Sequence, residues 1–439
     1  MEFYLISVLH GSLCAASLAL VVATIKKRGL TTLSLGAASF FAISSLGLIF
    51  SHYVNYGAAL SFGDDSGMIV YRKLTDVYIR QAISHWILMG VFCFALLLPK
   101  NIFLINVGKF ALFRPPMWRG ILILLAILGY TRYFIFGPGL GTLLETNLIY
   151  FSAEDAVAAR SSANANFYGQ GAYMAAVVAY IILPVLFASR VLIGQKREKI
   201  QRPAGYFFEI SCFFLLSFIY AFQTRQKAPI ISTVLIYLLL HICRSSRASQ
   251  EKFGREARGK YVQKALMFGG GIFSLAIALY VLVFGMSVLD SIFATITRVL
   301  FVPTATEANY FYAFPDILSF RGLIDSYIIR VFNPPGVSGV SIYDVAIAAT
   351  GNEFSANASF LAVGWSGFGY LGVLLVSISL CFGLLVLDGM NLKRDKYTKQ
   401  MVLAISLPPL LVLNSASFLD YVGAGGVVGG ILLLLIVRD

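Results

Sequence analysis

The sequence predicts an all-α polytopic membrane protein of about eleven transmembrane helices, N-terminus outside and C-terminus inside. Three observations predict it. The 439-residue chain is 58% hydrophobic and only 13% charged, about half the charge of a soluble domain, and its mean hydropathy is +0.80. Apolar runs of about 18 residues or more recur along its whole length, enough to cross a bilayer as helices. Basic residues cluster at alternate connections, the pattern that marks cytoplasmic loops.

The spans fall near 3–25, 30–52, 82–99, 118–136, 166–189, 206–223, 228–243, 265–286, 359–387, 401–415 and 422–437. Lys26, Lys27 and Arg28 follow the first. Lys100, Lys109, Arg114 and Arg119 lie between the third and fourth, and Arg190, Lys196, Arg197, Lys199 and Arg202 between the fifth and sixth. A basic run from Arg244 to Lys264 follows the seventh, and Lys393, Arg394, Lys396 and Lys399 follow the ninth. With these spans every cluster lies on one side, which is cytoplasmic. The chain divides into a membrane domain over 1–286, a large exterior loop over 287–358 and a closing membrane segment over 359–439. The loop mixes apolar and polar residues at helical spacing and reads as short interfacial helices capping the bundle.

This topology excludes several functions. The net charge of +13 follows from the positive-inside bias and predicts no nucleic-acid partner. Cys14, Cys93, Cys212, Cys243 and Cys381 all lie in apolar segments without paired spacing, so they read as small hydrophobes. His10, His52, His85 and His241 are scattered, and no metal or cofactor site is expected. The first segment lacks the basic start and small-residue cleavage site of a signal peptide.

The exterior face carries the chemistry. Of the ten basic residues placed there, eight are Arg: Arg72, Arg80, Arg132, Arg160, Arg225, Arg298, Arg321 and Arg330. Guanidinium is a permanently charged fork that grips phosphate in a bidentate manner. Arg225 sits with Lys227 in the tight hairpin between spans six and seven, where it reads as a membrane anchor or as a phosphate contact. Arg298 precedes the aromatic stretch Tyr310-Phe311-Tyr312, a composition suited to a sugar beside a phosphate. Arg321 lies further along the same loop. Asn352, Glu353 and Asn357 stand at the mouth of the ninth span, where amides can bond sugar hydroxyls. The small residues around Gly364-Trp365-Ser366-Gly367 permit close helix packing.

Three features in this order resemble the bacterial Wzy-type O-antigen and capsular repeat-unit polymerases: Arg225 in a short hairpin, Arg298 to Pro303 followed by Tyr310 to Phe314, and Asn357 to Gly372 running into a span that ends Leu387-Asp388. The resemblance covers roughly residues 205–390. It implies a fold of the type C glycosyltransferase and O-antigen polymerase class, in the bacterial cytoplasmic membrane, with the active site facing the exterior. It also implies the reaction: polyprenyl-diphosphate-linked oligosaccharides serve as donor and acceptor and are joined into a long glycan without metal or nucleotide sugar. A flippase and a chain-length regulator are the partners it implies. Arg225 and Arg298 would then stabilise the leaving diphosphate. Lys227, Arg321, Tyr310, Tyr312, Asn352 and Asn357 would bind substrate. Glu307, Asp316 and Glu353 are candidates for a base by location alone, and each also reads as a salt-bridge partner or a solvated loop residue.

Three alternatives compete with this reading, the first sharing its architecture and the third from a different class. An O-antigen ligase usually depends on a His in the large exterior loop, and residues 287–358 contain none. A polyprenyl-phosphate-sugar transferase would place acidic residues in the first exterior loop, where Asp64-Asp65 lie. A flippase or other transporter needs an internal polar cavity through the bilayer centre, and the central spans carry almost no ionisable residue, Glu209 lying near the cytoplasmic end of span six.

Overall fold

The computed structural model describes residues 2–57, 75–99, 102, 115–136, 172–196, 205–224, 234–236, 286–320, 322, 340, 342–351, 359–392, 394, 396–412 and 427–436, with a few residues between 270 and 281. In chain order its helices are α1 (Glu2–Arg28), α2 (Thr32–Ser39), α3 (Leu46–Gly57), α4 (Thr75–Leu97), α5 (Pro115–Phe134), α6 (Ala172–Val177), α7 (Leu183–Lys196) and α8 (Gly205–Thr224). There follow α9 (Val288–Ile296), α10 (Val302–Ala313), α11 (Ile342–Thr350), α12 (Phe360–Phe368), α13 (Tyr370–Asn391), α14 (Lys396–Val412) and α15 (Val427–Ile436). Wider π-helical turns, Phe40–Ser45, Val178–Ile182 and Thr297–Phe301, join α2 to α3, α6 to α7 and α9 to α10. Among the described residues there is no strand.

Among the described residues, five helical stretches are long and apolar enough to cross a membrane: Tyr4–Arg28, Thr32–Ser51, Thr75–Leu97, Val288–Ala313 and Tyr370–Asn391. Helix satisfies every backbone hydrogen bond within one segment, which hydrocarbon demands. This is an all-α membrane protein.

Where the segments predicted as spans are described they are helical; 228–243 and 265–286 lie largely outside the described residues, as do parts of 166–189, 401–415 and 422–437. Three details differ from the sequence reading. The third span begins at Thr75 rather than 82, and so takes in Arg80 and Gln81. The start of segment 287–358 is one continuous 26-residue helix, Val288–Ala313, rather than several short ones. The ninth span is two helices, broken at Gly369, where φ is +61°.

Contacts divide the chain into two compact units. One comprises Met1–Ile105, Ile292–Gly389 and Leu410–Val422; the other comprises Asn106–Ser291, Met390–Pro409 and Gly423–Asp439.

In the first unit, polar staples fix the helix ends. Asp388 caps the start of α2: its Oδ1 accepts from the Thr32 amide at 2.7 Å and the Thr32 hydroxyl at 2.6 Å. Arg28 donates to the Ala95 and Leu98 carbonyls at the end of α4, at 2.7 and 2.6 Å. A cation there also suits the helix dipole.

Glycines set two close crossings. A Cβ on Gly47 would lie 2.6 Å from the Leu300 carbonyl oxygen, so its absence lets the π turn before α10 settle against α3. A Cβ on Gly372 would lie 1.9 Å from the Gly364 carbonyl oxygen. The turn at Gly369 thus folds α12 tightly against the start of α13. Gly372→Ala is expected to force the two helices apart and to cost about 3 kcal/mol. Gly11→Ala, with open space around the new methyl, should be near neutral. Thermal unfolding of both variants in detergent checks the contrast.

Candidate functional site

The site lies in the first unit, where α4, α10 and α12 meet, and it has two tiers. The lower tier is built on Glu307, in the middle of α10. Its side chain is 2% exposed and three groups donate to it. Ser359 Oγ reaches Oε1 at 2.7 Å. Gln81 Nε2 reaches Oε2 at 2.8 Å, and His85 Nε2 lies 3.0 Å from the same oxygen. Gln81 and His85 are four residues apart, so α4 presents both on one face. Gln81 also donates to the Thr304 carbonyl at 3.1 Å. His85 stacks on Phe40, with ring centroids 5.5 Å apart. A carboxylate removed from water is tolerable only with such a shell of donors.

Ser359 is the N-cap of α12. Its side chain accepts from the Ala362 amide at 3.3 Å while donating to Glu307. The order is Ser–Glu–His rather than Ser–His–Glu, so the imidazole does not touch the hydroxyl and the serine is not activated as in a hydrolase triad. His85 Nδ1, Gln81 Oε1 and both polar atoms of the Asn309 amide are buried without a hydrogen-bond partner among the described residues. The cluster therefore has bonding capacity beyond its own side chains.

The upper tier is built on Arg80. Five residues separate it from His85, about 7.5 Å along the helix axis. Arg80 Nη1 donates to Asp316 Oδ2 at 2.9 Å and to the Phe311 carbonyl at 3.2 Å. Its guanidinium carbon lies 5.9 Å from the centre of the Trp365 ring, within cation–π range. Trp365 is locked in turn: its Nε1 donates to the Phe314 carbonyl at 2.9 Å. Phe311, Phe320 and Tyr370 pack on its ring at 5.0, 5.9 and 4.9 Å. Unlike Glu307, Arg80 is open to its surroundings, with 27% of its side chain exposed. The result is a fixed, accessible guanidinium beside an aromatic wall, above a buried carboxylate.

Of the residues singled out from sequence, Glu307 is central to this arrangement. Tyr310 is buried and stacks on Phe314 at 6.2 Å; Tyr312 is half-buried. Arg298 lies in the π turn Thr297–Phe301 before α10, and only its backbone is described. Arg225, Lys227, Arg321, Asn352, Glu353 and Asn357 lie outside the described residues. The functional reading of the sequence passed over Gln81, His85, Trp365 and Ser359, and counted Arg80 only among the exterior arginines. A signal was present: Gln81 and His85 form a polar i, i+4 pair in an otherwise apolar span.

Comparison with known proteins finds no matching family model, no matching curated protein and no matching solved structure.

Proposed function

We propose that this protein is a membrane-embedded glycosyltransferase that polymerises polyprenyl-diphosphate-linked oligosaccharide repeat units on the outer face of the bacterial cytoplasmic membrane. The observation that carries the reading is the pairing of Arg80, fixed over Trp365, with buried Glu307 one tier below. A lipid-linked glycan presents the groups that such a site recognises: a diphosphate for guanidinium and sugar faces for aromatic rings.

The reaction breaks the bond from the donor's anomeric carbon to the diphosphate oxygen. It forms a bond from that carbon to an acceptor hydroxyl oxygen. Charge develops on the leaving diphosphate, and Arg80 stabilises it there, with Arg225 and Arg298 as further cations expected from the family resemblance. The acceptor proton needs a destination. Ser359 Oγ takes it as the serine's own proton passes to Glu307 Oε1, so the buried carboxylate acts through the hydroxyl. Gln81 and His85 are positioning residues that hold the carboxylate.

A test uses purified protein in nanodiscs with lipid-linked repeat units and no nucleotide sugar. A ladder of lengthening glycans is expected. Product formed only when lipid A core is added would move the protein to the ligase class. His85 bears on that alternative, because α4 supplies a histidine that the exterior loop lacks.

One observation favours a second reading, transport. Glu307 and His85 meet about halfway along α4, and ionisable pairs at such depth mark ion or proton pathways. Transport predicts pH-dependent movement of the lipid-linked glycan across proteoliposomes without bond formation.

A further inference from the structure

The second unit holds an ion cluster that plays no part in the proposed reaction. Arg119 stands in the first turns of α5, Arg190 late in α7 and Glu209 early in α8. Three helix ends therefore bring these residues together. Glu209 Oε2 contacts Arg119 Nη2 and lies 2.9 Å from Arg190 Nε. Two guanidiniums thus share a single carboxylate oxygen, and the trio carries a net charge of +1.

Arg119 is poorly served by this arrangement. Its Nε is buried without an acceptor among the described residues. It also sits at the positive end of a helix dipole, where a cation is unfavourable and an anion favourable. Pro115 and Pro116 open α5, so the first free amides of that end belong to Met117 and Trp118. Arg119 Nε is thus left without an acceptor among the described residues even though Nη2 is paired, and a second anion beside Glu209 supplies one.

The surroundings say what kind of anion. Met117, two residues from Arg119, is 52% exposed, and Phe207 and Phe208, beside Glu209, are 62% and 73% exposed. Large apolar side chains next to a cationic pair match an amphiphile: acyl chain against Met117 and the phenylalanines, phosphate against the guanidiniums. The geometry points to a binding site for the phosphate of an anionic phospholipid headgroup at the start of α5, held by Arg119 and Arg190. It is independent of the glycan site, which lies in the other unit.

Native mass spectrometry in a neutral detergent tests this site. Phosphatidylglycerol, phosphatidylcholine and inorganic phosphate are titrated separately against the full chain and against Arg119→Gln. The wild type is expected to retain phosphatidylglycerol about tenfold more strongly than phosphatidylcholine, and Arg119→Gln to abolish that preference, the scale of one lost charged hydrogen bond. Displacement of phosphatidylglycerol by equimolar inorganic phosphate would assign the same phosphate site to the free ion. Equal retention of the two lipids by the wild type, or an unchanged preference in Arg119→Gln, overturns the proposal. Should Arg119→Gln fail to fold, Glu209→Gln replaces it. Removing the competing carboxylate must strengthen phosphatidylglycerol retention, and an unchanged or weaker retention overturns the site.

Discussion

Glu307→Ala is expected to be among the most damaging single substitutions in the chain. It removes the acceptor for Ser359, Gln81 and His85 together; the Ser359 hydroxyl and His85 Nε2 lose their buried partner, and Gln81 keeps only the Thr304 carbonyl. Breaking a buried charged network of this kind costs about 3–5 kcal/mol, a large share of a typical folding free energy. Glu307→Gln keeps the volume but turns an amide NH₂ toward groups that themselves donate, so its loss should be smaller yet distinct. Thermal unfolding in detergent ranks the three proteins: wild type, then Gln, then Ala. Glycan synthesis should be lost in both variants, because neither side chain takes a proton from Ser359. A Glu307→Gln protein that retained full turnover would remove the carboxylate from the mechanism.

Arg80→Ala has the opposite signature. The ion pair with Asp316 is partly solvated, with Asp316 58% exposed, and pairs of that kind contribute only about 0–1 kcal/mol. Stability should barely change. Turnover should fall by a factor of about 10² to 10³, the typical loss when one preorganised donor to a developing anion is removed. Arg80→Lys should recover part of it, since ammonium restores charge but not the planar fork or its stacking on Trp365. Initial rates with lipid-linked repeat units, measured alongside melting curves, separate this loss of catalysis from the loss of structure at Glu307.

The two residues differ in how far the sequence announced them. Glu307 was legible as a candidate base from its place beside the aromatic stretch, but not as a buried one. Its burial comes from α4, more than 200 residues away in the chain, and local composition carries no trace of that contact. Arg80 and Gln81 were lost to the span because hydropathy falls at their position. The third helix therefore reads from 82, although the structure starts it at Thr75. His85 read as one of four scattered histidines. Its role depends on the i, i+4 spacing from Gln81, a pattern visible only once both lie on one helix.

Backbone features divide in the same way. Long apolar runs specified where helices form, because length and hydropathy together determine what crosses hydrocarbon. The glycines between Gly364 and Gly372 indicated close packing, and the structure puts those two residues against each other. The break at Gly369 was not legible. Its positive φ is a conformation that glycine permits and sequence does not demand. That break lets Ser359 reach Glu307 while Trp365 reaches Arg80, so it assembles both tiers from one short helix.

Glycosyl transfer is tested by coupling bond formation to leaving-group release. Wild-type protein and Arg80→Ala in nanodiscs are given lipid-linked repeat units, and glycan chain length and free polyprenyl diphosphate are followed together. One diphosphate is expected to be released per glycosidic bond formed by the wild type, with both quantities falling about 10²- to 10³-fold in Arg80→Ala. A wild-type protein that forms no bond, or an Arg80→Ala protein that builds the same ladder at the same rate, would contradict the proposed reaction.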